Sequence, residues 1–166
     1  SHPERVRALV LGNPTARYRA DVDYPQGWPQ EAIDGLIANL EATWGSTATL
    51  LDAGFPALEH DETSLAAQTR LLRAAATPRM AAAMYRHVIE NLDVRSVLPM
   101  VRAPTLVLMN DSRVREQTRY LAEHIADARL VEVPGYAYLF YGGEHRQVLE
   151  EVAEFLTGQR GQVEAD

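Results

Sequence analysis

The 166 residues suffice for one domain, which at this length buries roughly 70% of the surface its unfolded chain exposes. A formal net charge of -7, with scattered arginines and no lysine, argues against a nucleic-acid partner, which a basic stripe would mark. The lack of cysteine excludes disulfides, thiolate nucleophiles and thiolate metal sites.

No apolar stretch approaches the roughly 20 residues that span a bilayer, and Ser1-His2-Pro3-Glu4-Arg5 has no signal-peptide apolar core. A cytoplasmic chain without a membrane span is therefore expected. The missing initial methionine and a strand that begins almost at once predict a fragment of a longer chain.

Val6 to Leu11 is a short apolar run ended by Gly12-Asn13-Pro14, which reads as a first strand. A polar loop runs to Pro29, which opens a helix at its first position. Ile33, Leu36, Ile37, Leu40 and Trp44 share one face of that helix, and Gly45 ends it. Ser46 to Glu59 reads as irregular, with Gly54 and Pro56 as breakers. A second helix is expected from about Glu62 to Ala76. Thr77-Pro78 then reads as cap and first turn of a third helix, which presents Met80, Met84, Val88 and Ile89. Asp93 is expected to cap a short turn carrying Val94, Val97 and Leu98.

Ala103 to Met109 is an unbroken apolar run between Pro104 and the polar Asn110-Asp111-Ser112 turn. Such a run suits a strand buried on both faces, hence the centre of a parallel sheet. In open α/β sheets, ligands and chemistry sit at the carboxyl ends of the strands, which marks Asp111. A helix follows from about Arg115 to Ala126, with Thr118, Leu121, Ala122 and Ile125 inward. Arg129 to Val133 is a last short strand, and Pro134 to Gly143 an aromatic loop. The closing helix, Glu144 to Thr157, places Val148, Leu149, Val152, Phe155 and Leu156 on one side, and Gly158 stops it.

A parallel crossover needs about a dozen residues, yet roughly ninety separate the first two strands. The excess reads as a helical insertion, residues 28–100, of the kind that forms a lid.

Pro3 to Leu11 resembles the strand after the nucleophile-bearing helix of α/β-hydrolases, and Ala103 to Leu108 the strand leading to their catalytic acid. Tyr120 to Ile125, Ala128 to Gly135 and Glu154 to Gly158 are similar to the family's following helix, last strand and terminal helix. The resemblance implies a partial α/β-hydrolase fold: three parallel strands, residues 1–158 as the second half of the domain, and residues 159–166 as tail or linker. It is closest to the hydrolase-like domain of actinobacterial proteins that continue into a class III nucleotide cyclase or a transcriptional regulator.

The family's chemistry joins a serine on a strained elbow, an acid and a histidine base. Gly-x-Ser-x-Gly does not occur here, so the resemblance places the nucleophile upstream of Ser1. It places the acid at Asp111, although the segment from Leu108 to Tyr120 is shorter than the family's loop. A residue that merely closes a turn is the competing reading. The family's Pro-Gly-x-x-His reads Pro134-Gly135-Tyr136-Ala137-Tyr138, so Tyr138 holds the place of the base. A phenol, with an ordinary pKa near 10, does not deprotonate serine at neutral pH. His145 is the nearby substitute base to weigh against an exposed first-turn histidine.

Tyr136, Phe140 and Tyr141, with Tyr138, either line a pocket for a small acyl ligand or form an interface patch. Glu59-His60-Asp61-Glu62 reads as a solvated turn before a helix, because adjacent side chains point apart. Met80, Met84 and Met100 read as core. No metal or other cofactor is expected. Three strands leave the Val6–Leu11 strand with an open edge, which predicts a cover: a second copy in a homodimer or a missing N-terminal half.

Overall fold

The computed structural model describes residues 5–52, 62–110, 112–133 and 145–159. They fall into two compact units, Arg17–Asp93 and the sequence on either side of it.

The flanking sequence builds a three-stranded sheet from β1 (Leu9–Gly12), β2 (Thr105–Met109) and β3 (Arg129–Glu132). The order is β1-β2-β3 and both pairings are parallel. β2 is central, as its unbroken apolar run predicts, and all five of its residues are buried. Alternate side chains go to opposite faces. Leu106 and Leu108 pack with Val133 and Val148, while Val107 packs with Ala16, Leu98, Leu121, Ala122 and Ile125.

Two helices supply those partners. α5 (Arg115–Glu123) covers the Val107 face, and α6 (His145–Thr157) covers the Leu106 face. Thr118, Leu121, Ala122 and Ile125 are all buried, as their helical spacing predicts. α6 is tied to β3 by an ion pair between Arg129 Nη2 and the buried Glu151 Oε2, 2.5 Å apart.

Several expectations need correction. β1 starts at Leu9 rather than Val6, which is 43% exposed: β1 has a strand neighbour on one side among the described residues, and that neighbour does not reach the residues before Leu9. Leu149 and Leu156 lie outside the buried face of α6, where Val148 is buried and Val152 and Phe155 are partly so. α5 ends at Glu123, and the chain turns at Asp127 through a left-handed φ of 56°.

The Arg17–Asp93 unit is helical: α1 (Gln30–Thr43), α2 (Thr47–Asp52), α3 (Glu62–Ala75) and α4 (Pro78–Asn91). Ile33, Ile37 and Leu40 of α1 meet Ala82 and Ile89 of α4, flanked by Tyr18, Trp28, Leu36 and Trp44. The Trp44 indole N–H donates to the Leu72 and Ala76 carbonyls at the end of α3 (3.1 and 3.0 Å). Gly45, at φ 77°, ends α1 as read from the sequence. Arg17 bridges Asp93 at the far end of the unit (3.5 Å) and Asp21 (3.1 Å).

Thr77 caps α4, its side chain accepting from the Met80 N–H, with Pro78 in the first turn. Pro29, expected at the first helical position, instead precedes α1 as its cap residue. Residues 47–52, expected to be irregular, form α2, where Thr49 Oγ1 donates back to the Thr43 carbonyl. Asp93 does not cap the next turn: that 3-10 turn, Arg95–Met100, follows Val94 and has no side-chain cap. Met80, Met84 and Met100 are not core but 63%, 56% and 70% exposed: α4 turns Ala82 and Ile89 inward instead, and Met100 lies beyond it, at the end of the Arg95–Met100 turn.

Candidate functional site

β1, β2 and β3 run parallel, so their carboxyl ends share one edge of the sheet, the edge where open α/β sheets place ligands. The strand that precedes Asp111 in sequence and the strand that precedes Pro134 are neighbours there. Val133 N–H donates to the Met109 carbonyl (2.9 Å), carrying the β2–β3 ladder past the last residue of β3. Asp111, Tyr136, Tyr138, Phe140 and Tyr141 themselves lie outside the described residues, as do Glu59, His60 and Asp61. His145 is the first residue of α6, and its side chain too lies outside them.

The described part of the edge is built by asparagines. Asn13 follows β1 and Asn110 follows β2. The Asn13 N–H donates to the Leu108 carbonyl (2.8 Å). Its Oδ1 accepts from the Asn110 N–H (2.9 Å), and its Nδ2 donates to Asn110 Oδ1 (2.6 Å). Asn13 has a left-handed φ of 45°, a region that non-glycine residues rarely enter and that asparagine tolerates better than most.

The loop leaving Asn13 is pinned at two further points. The fully buried Thr118 of α5 donates from Oγ1 to the Pro14 carbonyl (2.9 Å). The Val94 N–H donates to the Ala16 carbonyl (2.9 Å). Arg115 at the start of α5 reaches Glu132 at the end of β3 (2.6 Å), a half-exposed pair of small energetic weight.

From sequence alone, Gly12-Asn13-Pro14 is a plain turn signal, and nothing in it separates a turn asparagine from one bonded across to the next strand. Thr118 is recognisable only as an inward position. Among the described residues, no group of three or more His, Asp or Glu side chains is placed to hold a metal ion. No helix there is long and apolar enough to cross a membrane.

Known proteins extend the fold reading. No family model matches the chain. A curated rice protein (Oryza sativa subsp. japonica), described as a probable esterase, is 31% identical over 142 residues, 80% of this chain and 49% of that one. Among solved structures, the enol-lactonase from Burkholderia xenovorans LB400 matches with a TM-score of 0.64 at 23% identity, over 94% of this chain and 58% of its own. An α/β-hydrolase enzyme from a Medee basin deep-sea metagenome library matches with a TM-score of 0.64 at 20% identity, over 100% and 60%.

The chain therefore carries part of the α/β-hydrolase fold. The chain spans about half the length of the rice relative.

Proposed function

We propose that this chain is a hydrolase-fold module without acyl-transfer activity of its own, which binds a small acyl ligand or a partner on behalf of an attached effector such as a class III cyclase. The observation that carries this reading is Tyr138 in the place of the family's base. Acyl transfer needs the serine oxygen to bond the carbonyl carbon while its proton passes to an imidazole, which then protonates the leaving alkoxide. A phenol with an ordinary pKa near 10 is ionised in only about one molecule in a thousand at pH 7. The absence of Gly-x-Ser-x-Gly from the 166 residues points the same way.

On this reading Asp111 marks the acid position without a base to orient, and His145 does not replace that base. Tyr136, Phe140 and Tyr141 line the ligand pocket, and residues 28–100 serve as its lid. The open edge of β1 is covered by a second copy or by an N-terminal half of the same fold. A monodisperse monomer with that edge bare, by analytical ultracentrifugation and hydrogen exchange, would remove this last element.

A second reading is favoured by the rice relative's name: the lid-and-acid half of a serine esterase acting on small acyl esters. A chromogenic acyl ester distinguishes the two. The first reading expects no turnover by the natural protein that contains this chain. Turnover abolished by a serine-directed inhibitor establishes the second.

A further inference from the structure

We propose that Asn13 is a positioning residue, whose side chain fixes the backbone from which β2 hands the chain on to Asp111. The functional weight of this rests on Asp111 being the acid position of the site. The register carries the argument. Gly12 pairs with Leu108, so Asn13 stands opposite Met109. In a parallel ladder, a residue opposite Met109 donates to the Leu108 carbonyl and accepts, with its main-chain carbonyl, from the Asn110 N–H. Asn13 makes the first bond with its main chain and the second with its side chain.

The last rung is thus preserved while the main chain leaves the sheet. Only an amide oxygen can face an N–H, so the orientation of the Asn13 amide is settled, and its nitrogen is turned to Asn110 Oδ1. The two bonds hold Asn110 at both its main chain and its side chain.

Glycine adopts a φ of 45° with less strain than asparagine and is the default where only the turn matters. Asparagine here costs backbone strain and contributes two bonds to the neighbouring strand end. Strained residues of this kind cluster at functional sites, and this one lies on the ligand-bearing edge of the sheet. The next residues out of β1, Pro14 and Ala16, are tied down separately by Thr118 and Val94. The Asn13 side chain couples the β1 exit to the first residue after β2.

Asn13→Gly and Asn13→Asp test this by amide hydrogen exchange in the full chain. Glycine keeps the left-handed φ and removes the side chain; aspartate keeps an acceptor for the Asn110 N–H. In Asn13→Gly the Asn110 amide is expected to exchange roughly tenfold faster or more, beyond any change at Leu106 and Val107. Asn13→Asp is expected to restore most of that protection.

Asn110 protection that stays at the wild-type level in Asn13→Gly, or falls only in step with Val107, overturns the proposal. Asn110 exchange reads the coupling whether or not Asp111 is the acid, so failure of that reading is seen without failure of this one.

Discussion

Leu106 and Val107 are neighbours in β2, both fully buried, and they point to opposite faces of the sheet. Leu106→Ala removes three carbons from the α6 side, about 2.4 kcal/mol of transfer free energy at roughly 0.8 kcal/mol per methylene. The cavity left among Leu108, Val133 and Val148 brings the cost to about 3–5 kcal/mol. Val107→Ala removes two carbons from the α5 side and is expected to cost about 2–3 kcal/mol once the cavity among Leu98, Leu121 and Ile125 is included. Urea unfolding measures both, with unchanged m-values showing that the unfolded state is unaltered. In a chain of this size the leucine variant is expected to melt about 9–14 °C lower. A strand buried on one face only would show one large cost and one near zero. If either substitution costs less than about 0.5 kcal/mol, β2 is not the doubly covered centre of the sheet.

The other substitutions probe the helices and loops. The Arg86 hydrogen bond holds the Asp34 carboxyl below the usual carboxylate range, with partial desolvation opposing and Gln30 assisting. A depressed folded-state pKa gives stability that is present above the unfolded value and lost as pH falls through the folded one. Arg86→Ala should therefore flatten the acid limb of thermal stability below about pH 4 and leave low-pH melting unchanged. Because the pair is exposed, salt should shrink the effect. Thr77→Ala should cost about 0.5–1 kcal/mol in chemical denaturation, the lower part of the capping range, since its bond to the Met80 N–H is 3.3 Å long. A methyl group added at Gly35 in α1 would meet open space, so Gly35→Ala should stabilise by about 0.5–1 kcal/mol in the same assay. A Cβ at Gly27 would overlap the main chain of Arg19 and Ala20, so Gly27→Ala should lower the melting temperature sharply in a thermal scan.

The sheet is legible in the sequence where one strand is covered on both faces. The run from Thr105 to Met109 has no charged or amide interruption, and no other local structure accommodates it so well. Thr77-Pro78 is equally readable, because a capping hydroxyl followed by a fixed φ has one common use. The exposed methionines of α4 are not, since a stripe at Met80, Met84 and Val88 has the same spacing whether it faces a core or solvent. α2 escapes because six residues flanked by Gly45 and Gly54 carry too little periodicity to be distinguished from a turn. At the candidate site, Asp111 and Tyr138 stand out chiefly through likeness to a family. Asn13 is invisible because its use depends on the register between strands more than ninety residues apart in sequence.

Covalent labelling of the natural protein with a fluorophosphonate, read by intact mass, tests the central claim most directly. Such probes react with a serine whose proton a neighbouring imidazole can take. With Tyr138 in the base position no adduct is expected at neutral pH, and Tyr138→His is expected to gain one if an elbow serine is present. A stoichiometric serine adduct on the unaltered protein would show that acyl-transfer chemistry is intact and that another base does the work.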